Sequence, residues 1–354
     1  VGGSGQALLD MRMVSLGDGA ISLHNDKGIP LRALGTGSAR LLIAGLQRRA
    51  ADGTSIVLAD EIEIGLEPHR IIRLLGSLGA KDSQPTLQVF MTTHSPVVVR
   101  ELSGNQLSII RAGSEQHVIQ PVGTRDDIQG AIRKYAEAFL ASTVIVCEGA
   151  SEVGLLRGLD QFRTAAECQS ISAQGVFLVD GGGGGVAKLR DRVTAFRKLG
   201  YRSILFRDND DTTTESSPVC DRSSEESQEI TWRPTRATED ELFFSLSGKA
   251  VLQLLQRAIE LHGQALIDDH IKSCSSGKQH LKSVQASIVE GEVSVEVRSL
   301  LAKASRQHSK PWYKTVSYME DIGREIVGPD LDNADEDFAK IIQSLFSWAA
   351  NEIR

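Results

Sequence analysis

The chain has 354 residues, a formal net charge of −7 with histidine neutral, and a hydrophobic content of 41%. This length allows two domains or one large domain, and the acidic balance excludes a strongly basic nucleic-acid footprint over the whole protein. Local basic strips and bound metal can still attract DNA, and no apolar run approaches the roughly 18 to 20 residues that a membrane span needs.

The cysteines show no CxxC or Cys/His spacing, which argues against structural zinc and against a disulfide scaffold. They are Cys147, Cys168, Cys220 and Cys274. We expect reduced thiols in a cytoplasmic protein, because disulfides are rare in that compartment. The first residues, VGGSGQALLDMRM, lack the apolar core of a signal peptide.

The first 125 residues predict short strands that alternate with helices. Strands are expected in GAISLHNDKGIPL, SIVLADE and TLQVFMTTH, and residues 106–122 read as a hairpin. Helical patterns cover SARLLIAGLQRRAADG, PHRIIRLLGSLGAK and PVVVREL. A further helix, over residues 126–142, is predicted to connect this region to the remainder.

From residue 143 the pattern becomes a regular alternation of strands and helices, which predicts a parallel sheet. The predicted elements are strand 143–148, helix 152–163, strand 175–180, a glycine loop, helix 186–199 and strand 202–208. Residues 211–230 are polar and read as a loop or insertion. The region 246–354 is predicted to be mostly helical, with a break near SRQHSKPWYK. The fold class is therefore α/β.

Three features of the first region point to nucleotide chemistry. Asp60 and Glu61 end a buried strand, where an Asp can hold Mg²⁺ and a Glu can polarise the attacking water. Gly35 and Gly37 directly precede a helix, whose first N–H groups form an anion site. His94 ends the next strand and can reach a γ-phosphate. Each feature alone is also compatible with an ordinary turn.

In this order, the features resemble the ABC-type ATPases, particularly the branch with the DNA-repair and SMC-like proteins. Residues 34–40 resemble the signature motif, with LGTGS in place of LSGGQ, and GLEP at 65–68 resembles the D-loop. Asp60 and Glu61 match Walker B, and His94 matches the switch histidine. Signature residues of that family contact nucleotide held by the other subunit. The resemblance thus implies a homodimer or higher oligomer, with nucleotide contacts from Gly35, Thr36, Gly37 and Ser38.

The phosphate-binding lysine of such an ATPase is missing, because no GxxxxGK[ST] occurs in the sequence. The segment VGGSGQA has glycines but no Lys. We expect ATP and Mg²⁺ to bind at a dimeric site only if the missing Walker A is supplied. Either this ATPase half is degenerate or the chain is truncated, and the absence of an initiator Met favours truncation.

In the second region, VIVCEGASE places Glu148 at the end of an apolar strand and Glu152 in the first turn of the following helix. Two carboxylates so close repel each other unless a cation or a proton lies between them. The alternative is a capping glutamate beside an exposed one, and these nine residues do not decide between the two.

Two further strands end in acidic residues, at Asp180 and at Asp208, with Asp210 following. Parallel strands bring their carboxyl ends to one edge of the sheet, and clustered carboxylates suit a divalent cation. Asp208 to Asp211 could also be a solvated turn. The glycines after Asp180 either admit a phosphate backbone closely or only turn the chain.

This second pattern resembles the Toprim domain, and an ABC-type ATPase followed by Toprim is the arrangement of the OLD (overcoming lysogenization defect) family, which includes the Gabija-type nuclease of phage defence. The resemblance implies two metal ions, Mg²⁺ or Mn²⁺. It implies metal ligands or acid–base groups at Glu148, Glu152, Asp208, Asp210, Glu239 and Glu241, besides Asp60 in the ATPase part. It also implies a catalytic Lys314 or, failing that, Lys310. An acidic helix start at 239–241 is equally expected from the helix dipole.

The resemblance implies the following organisation: a partial ABC ATPase domain at 1–125, a connecting helix at 126–142, a Toprim core at 143–245 and a helical extension at 246–354. The expected activity is a metal-dependent DNA endonuclease regulated by the ATPase, in phage defence or DNA processing. Expected partners are DNA and a helicase-like protein, with no membrane. DNA would contact a helix whose basic residues are equally compatible with a solvated face: Lys188, Arg190, Arg192, Arg197 and Lys198.

Two other functions remain open from the sequence. A topoisomerase needs a nucleophilic Tyr in a recognisable setting, which Tyr135, Tyr201, Tyr313 and Tyr318 lack, and a primase usually carries a zinc module. A non-catalytic, nucleotide-sensing scaffold would explain the missing Walker A lysine, although the intact carboxylate set argues against it.

Overall fold

The structure is a computed structural model that describes residues 6–9, 21–50, 55–85, 87–113, 115–123, 126–183, 185–210, 229–289, 293–307 and 309–350. The chain divides into two compact units, residues 1–140 and residues 141–354. Within the described ranges, no helix combines the length and apolar character required to cross a membrane.

The first unit contains six strands and four helices among its described residues. The strands are β1 (Gln6–Leu9), β2 (Ile21–His24), β3 (Ser55–Ala59), β4 (Leu87–Met91), β5 (Ser108–Arg111) and β6 (Val118–Pro121). The helices are α1 (Thr36–Ala50), α2 (Pro68–Ser77), α3 (Pro96–Glu101) and α4 (Asp126–Lys134). The antiparallel pairing of β5 with β6 confirms the predicted hairpin. The β2 strand pairs with β1, and its last residue, His24, also forms an isolated antiparallel bridge with Pro30 across the turn that follows.

The β3 and β4 strands form a two-stranded parallel sheet, with Ser55 opposite Leu87. The buried core beside it includes Ile71, Leu74 and Val98. Other apolar side chains of the sheet remain exposed, among them Leu58, and the sheet borders an open, largely apolar cleft of about 1020 Å³.

The predicted connecting helix is shorter than expected. The α4 helix ends at Lys134, and Tyr135 leaves the helical region with a φ of −134° and a ψ of 49°. A 3₁₀ turn, Ala136–Phe139, follows. Arg100 donates hydrogen bonds to the Arg133 carbonyl and to the Glu137 carboxylate, which fasten this segment to α3 within the first unit.

The second unit is built on a four-stranded, wholly parallel sheet in the order β10–β9–β7–β8. Its strands are β7 (Thr143–Cys147), β8 (Val176–Asp180), β9 (Arg202–Arg207) and β10 (Glu229–Thr231). All five residues of β7 are buried, which explains its continuous apolar sequence. The mixed α/β class with a parallel sheet is therefore confirmed. The β10 strand begins inside the segment predicted to be a polar insertion, whose residues 211–228 lie outside the described part of the chain.

The second unit also has ten α-helices among its described residues, of which the last seven make up the helical region predicted for residues 246–354. They are α5 (Ala150–Ala165), α6 (Val186–Lys198), α7 (Thr238–Ser245), α8 (Gly248–His262), α9 (Gln264–Cys274), α10 (Leu281–Val289), α11 (Val295–Ser305), α12 (Val316–Ile322), α13 (Gly328–Asp330) and α14 (Glu336–Ala350). The predicted helix break lies between α11 and α12, where Trp312 and Tyr313 are fully buried. The break is therefore a packed part of the core.

Candidate functional site

In the first unit, Asp60 and Glu61 follow β3 and are fastened to the residue after β4. The Thr92 hydroxyl donates to the Asp60 carboxylate, and the Glu61 N–H donates to Thr92 Oγ1 at 2.8 Å. Arg40 of α1 donates to the Glu61 carbonyl at 2.6 Å. Glu61 has a φ of 42°, in the left-handed region that is uncommon for non-glycine residues. The two predicted carboxylates thus stand in a constrained turn.

His94 follows β4 and is exposed, and its backbone N–H donates to Glu63 Oε1 at 2.6 Å. The Thr93 hydroxyl donates to the other Glu63 oxygen at 2.8 Å. Burial favours the neutral form of Glu63, but the hydrogen bonds from His94 and Thr93 outweigh it, and the pKa of Glu63 is lowered. The sequence analysis did not single out Glu63, which orients the His94 backbone.

The glycine-containing segment at the start of α1 lies against the segment that resembles a D-loop. A Cβ atom on Gly37 would stand 2.3 Å from the Gly65 carbonyl oxygen and 2.7 Å from Leu66 Cδ2. Arg70 Nη1 donates to Ser38 Oγ at 3.4 Å. Gly35 and Thr36 are exposed at the amino end of the helix. Two motifs that are distant in sequence therefore meet, and Gly37 is required by the close approach.

In the second unit, the neighbouring strands β7 and β9 bring Glu148 and Asp208 together. Glu148 Oε2 accepts a hydrogen bond from the Asp208 N–H at 3.0 Å. Glu152, in the first turn of α5, accepts from the Gly149 N–H at 2.7 Å through Oε2. The capping interpretation of Glu152 is thus correct for one of its oxygens.

Thr238, the first residue of α7, connects the other oxygen of Glu152 to Asp208. Its Oγ1 lies 2.6 Å from Glu152 Oε1 and 3.0 Å from Asp208 Oδ1, while its N–H donates to Asp208 Oδ1 at 2.9 Å. Trp232 Nε1 donates to Thr238 Oγ1 at 2.7 Å. Strand ends and a helix start therefore share one polar cluster, and the residue of it that the sequence analysis missed is Thr238.

Glu239 lies beside Thr238 and is only 1% exposed. Its Oε1 is buried and has no hydrogen-bond partner among the described residues. Burial is the main reason that the pKa of Glu239 rises to about 7; the charge of Lys314 opposes this rise, and that of Glu152 adds to it. An unpartnered carboxyl oxygen in the interior is costly, which is typical of a functional group.

The neighbouring carboxyl groups are also disfavoured as anions. Burial and then the charges of Glu152, Glu239 and Glu148 hold the pKa of Asp208 well above its usual range. Burial and the charge of Glu152 likewise raise the pKa of Glu148. We refer to Glu148, Glu152, Asp208 and Glu239 as the carboxylate cluster. Repulsion within such a cluster is relieved by a proton or by a cation.

Asp210 lies at the margin of this cluster. Its side chain is 44% exposed and forms an ion pair of 3.5 Å with Arg306. Arg306 also pairs with Asp240 at 3.2 Å. The sequence analysis did not identify Asp240 or Arg306, because the two come from separate helical regions whose contact has no local signal.

Glu241 does not join the carboxylate cluster. Both its oxygens accept hydrogen bonds from Arg233, and Oε2 also pairs with Arg236 at 3.1 Å and accepts from Ser245. Burial opposes ionisation of Glu241, but the bonds from Arg233 outweigh it, and the pKa of Glu241 is lowered. The role expected for Glu241 at a second metal is therefore not supported, because its oxygens are occupied by guanidinium groups.

The two candidate lysines have different surroundings. Lys314 is exposed, and its charge opposes the rise in the pKa of Glu239. Lys310 is exposed with a φ of 79°, and its charge acts on His270 instead. Of the pair, Lys314 is the one associated with the carboxylate cluster.

The basic residues of the α6 region are partly engaged in structural contacts. Arg190 pairs with Glu229 at 2.9 Å, Arg192 donates to the Gly181 carbonyl at 3.3 Å, and Arg197 donates to the Ser203 carbonyl. Lys188 is exposed. Three of these candidates for DNA binding thus also form contacts that stabilise the fold.

The glycine loop after β8 turns the chain where neighbouring atoms leave no space for a side chain at Gly181. A Cβ on Gly181 would lie 2.3 Å from Leu189 Cδ2, and Asp180 Oδ1 accepts from the Gly182 N–H at 2.8 Å. Gly182 and Gly183 have positive φ angles, and Gly184 lies outside the described residues. These contacts favour the turn-forming interpretation of the glycines.

The chemistry of the donor set suits a hard cation, because the cluster consists of carboxylates and includes the unpartnered Glu239 Oε1. In the described part of the chain, however, no group of three or more His, Cys, Asp or Glu side chains is arranged so that it could hold a metal ion. Oxygens of the other members bond to Asp208 N–H, Gly149 N–H and Thr238. The two-metal site remains a prediction.

Comparison with protein-family models gives a match within the first unit. Residues 18–100 match the family model described as "AAA domain, putative AbiEii toxin, Type IV TA system", and this range includes Asp60, Glu61 and His94. No curated protein matches the chain. Among solved structures, the C-terminal region of the Burkholderia pseudomallei OLD protein aligns with a TM-score of 0.32 and 12% identity, over 59% of this chain and 99% of that chain.

Proposed function

We propose that residues 141–354 form a Mg²⁺- or Mn²⁺-dependent Toprim endonuclease of the OLD type that cuts DNA, and that the ATPase-like first unit regulates it. The observation that carries this proposal is the carboxylate cluster at the carboxyl edge of a parallel sheet, with Glu239 buried and unpartnered. Such a sheet edge is where ligands bind in α/β folds. Clusters of carboxyl groups with raised pKa values are characteristic of functional sites.

In the proposed reaction, a bound divalent cation would activate water and neutralise the charge of the phosphate. Glu148, Glu152, Asp208 and Glu239 would hold it, with Asp210 as an outer ligand. Lys314 would stabilise the negative charge that develops on the scissile phosphate. Thr238 would orient Glu152 and Asp208, because it bonds to both.

The regulatory part of the proposal concerns the first unit. Asp60 would hold Mg²⁺ of a nucleotide, Glu61 would polarise water, and His94 would reach the γ-phosphate. Residues 35–38 would contact nucleotide held by a second subunit in a homodimer, provided that the missing Walker A lysine is supplied. A role in phage defence or DNA processing with a helicase-like partner rests on the motif resemblance.

The tyrosines favour a nuclease over a topoisomerase. Tyr135, Tyr201 and Tyr313 are buried, and the Tyr313 hydroxyl donates to the Leu254 carbonyl. The Tyr318 ring packs edge-on against His262, with ring centroids 6.1 Å apart. A covalent mechanism needs a tyrosine hydroxyl that can reach DNA, and these surroundings do not favour one.

A plasmid assay tests the proposal. Supercoiled plasmid is incubated with the protein and Mg²⁺ or Mn²⁺, and wild type is compared with Asp208→Asn and with the exposed control Asp332→Asn. Metal-dependent nicking that only Asp208→Asn abolishes supports the nuclease. Relaxation without nicks would instead support a topoisomerase-like activity, and unchanged DNA in every lane would support a non-catalytic scaffold.

A further inference from the structure

Arg306 directly follows α11 and joins two carboxylates from different parts of the second unit. Its Nη2 lies 3.2 Å from Asp240 Oδ1 and its Nη1 lies 3.5 Å from Asp210 Oδ2. Asp240 belongs to the first turn of α7, whereas Asp210 follows β9. One guanidinium therefore connects the helix that carries Glu239 to the outer member of the proposed ligand set.

The two partners of Arg306 differ in how firmly they are held. The Asp240 side chain is 9% exposed, and its Oδ2 accepts the Ala237 N–H at 2.9 Å, so it caps α7. The Asp210 side chain is 44% exposed. The Arg306 side chain is 31% exposed, and its buried Nε has no partner among the described residues. The guanidinium is thus anchored at Asp240 and reaches toward the freer carboxylate.

The charge on Arg306 is permanent, because a guanidinium does not lose its proton in proteins. It lies 3.5 Å from Asp210 and 3.2 Å from Asp240, the residue that follows Glu239 in α7, and both Asp210 and Glu239 belong to the proposed ligand set. A positive group at this place reduces the repulsion among the carboxylates, and it also opposes the approach of another cation. Arg306 is thus chemically equivalent to a weak resident cation.

We propose that Arg306 is an internal counter-ion of the site, which competes with a divalent cation for Asp210 and remains attached to Asp240 when displaced. This inference rests on the proposed function, since it assumes that Asp210 takes part in metal binding. It assigns Arg306 a positioning role: it sets the metal affinity of the site through Asp210 and limits occupancy at low metal concentration.

Binding of Mn²⁺, followed by electron paramagnetic resonance of the free ion with the full chain, tests the inference without reference to cleavage. Arg306→Gln and Arg306→Met should each lower the Kd for Mn²⁺ about twofold to fivefold, the range expected for one partly exposed ion pair. Arg306→Lys, which keeps the charge, should remain near wild type. Arg324→Gln is the matched control, because Arg324 also pairs with two carboxylates, Asp321 and Glu325.

A double-mutant cycle isolates the relationship with Asp210. In an Asp210→Asn background, Arg306→Gln should no longer lower the Kd. A Kd that is unchanged or raised in Arg306→Gln and Arg306→Met overturns the inference. The inference is also overturned if Arg306→Gln lowers the Kd by the same factor in the Asp210→Asn background as in wild type. If wild type binds Mn²⁺, Asp208→Asn does not, and the Arg306 variants match wild type, only the inference fails. If wild type does not bind Mn²⁺ at all, the proposed function fails with it.

Discussion

Glu239 and Glu241 lie two residues apart in the first turn of α7, and both are almost completely buried, but within the described part of the chain only Glu241 of the two forms ion pairs with arginine side chains. Glu241 bonds to the guanidinium of Arg233, with a shortest distance of 2.6 Å, whereas Glu239 Oε1 has no partner among the described residues. Burial opposes ionisation of Glu241, but the contacts with its arginine partners outweigh burial and lower its pKa. Burial is the main reason that the pKa of Glu239 is raised. Glu241 therefore stabilises the fold, whereas the burial of Glu239 lowers the stability of the folded protein.

Glu241→Gln should destabilise the protein. The substitution keeps the shape of the side chain but leaves Arg233 and Arg236 without their buried anion, which is expected to cost about 3 kcal/mol. Chemical denaturation followed by tryptophan fluorescence measures the loss. The control is Glu260→Gln, because the Glu260 pair with Arg257 is 53% exposed on the glutamate side and should change stability by less than about 1 kcal/mol. Equal effects in the two variants would contradict the structural role of Glu241.

Glu239→Gln should stabilise the protein, and the gain should depend on pH. The pKa of Glu239 is raised from 4.5 to about 7. The contribution of its protonated form to the free energy of unfolding is therefore fully present below pH 4.5 and is lost as the pH rises through about 7. In metal-chelated buffer, the Tm of the variant minus that of wild type should therefore increase between these pH values and then level off. The linked free energy is about 3 kcal/mol at most. A difference independent of pH would show that Glu239 does not titrate in this window.

Gly37→Ala and Gly45→Ala should change the stability of the first unit in opposite directions. A methyl group at position 37 would meet the Gly65 carbonyl, whereas nothing lies within 4 Å of a Cβ at position 45. We expect a loss of about 1 to 3 kcal/mol for the former and a gain of about 0.5 to 1 kcal/mol for the latter, since Ala favours the helix. Circular dichroism is the suitable probe, because the tryptophans, Trp232, Trp312 and Trp348, all belong to the second unit. A Gly37→Ala variant as stable as Gly45→Ala would exclude the close approach to Gly65.

Lys314→Met should reduce plasmid cleavage about 100-fold, the loss typical when a group that stabilises transition-state charge is removed. Mn²⁺ binding should persist, which separates a catalytic role from loss of the site. Lys310→Met is the matched variant and should retain cleavage near the wild-type rate, because the charge of Lys310 acts on His270. The assignment is wrong if the two variants lose activity equally.

The sequence was sufficient to place those members of the site that follow from the periodicity of strands. Glu148 and Asp208 end apolar runs, and parallel strands deliver such ends to a common edge, so their contact could be predicted. It could not distinguish Glu239 from Glu241, because their roles depend on how α7 is rotated against Arg233. Arg306 and Thr238 were missed because each contacts acidic residues that are distant in sequence, and neither has a local pattern that announces the contact.

The hydrogen bond from Trp232 to Thr238 limits which carboxylate can accept the hydroxyl hydrogen of Thr238. Because the indole N–H donates to Thr238 Oγ1, the single hydroxyl hydrogen of Thr238 must point elsewhere, and Glu152 Oε1 at 2.6 Å is its nearest acceptor. The 3.0 Å approach of Thr238 Oγ1 to Asp208 Oδ1 then lacks a hydrogen unless Asp208 supplies one. A proton shared by the carboxyl groups would therefore supply the hydrogen that this contact lacks. A cation that takes over Asp208 would release that proton, so metal uptake should acidify a weakly buffered solution.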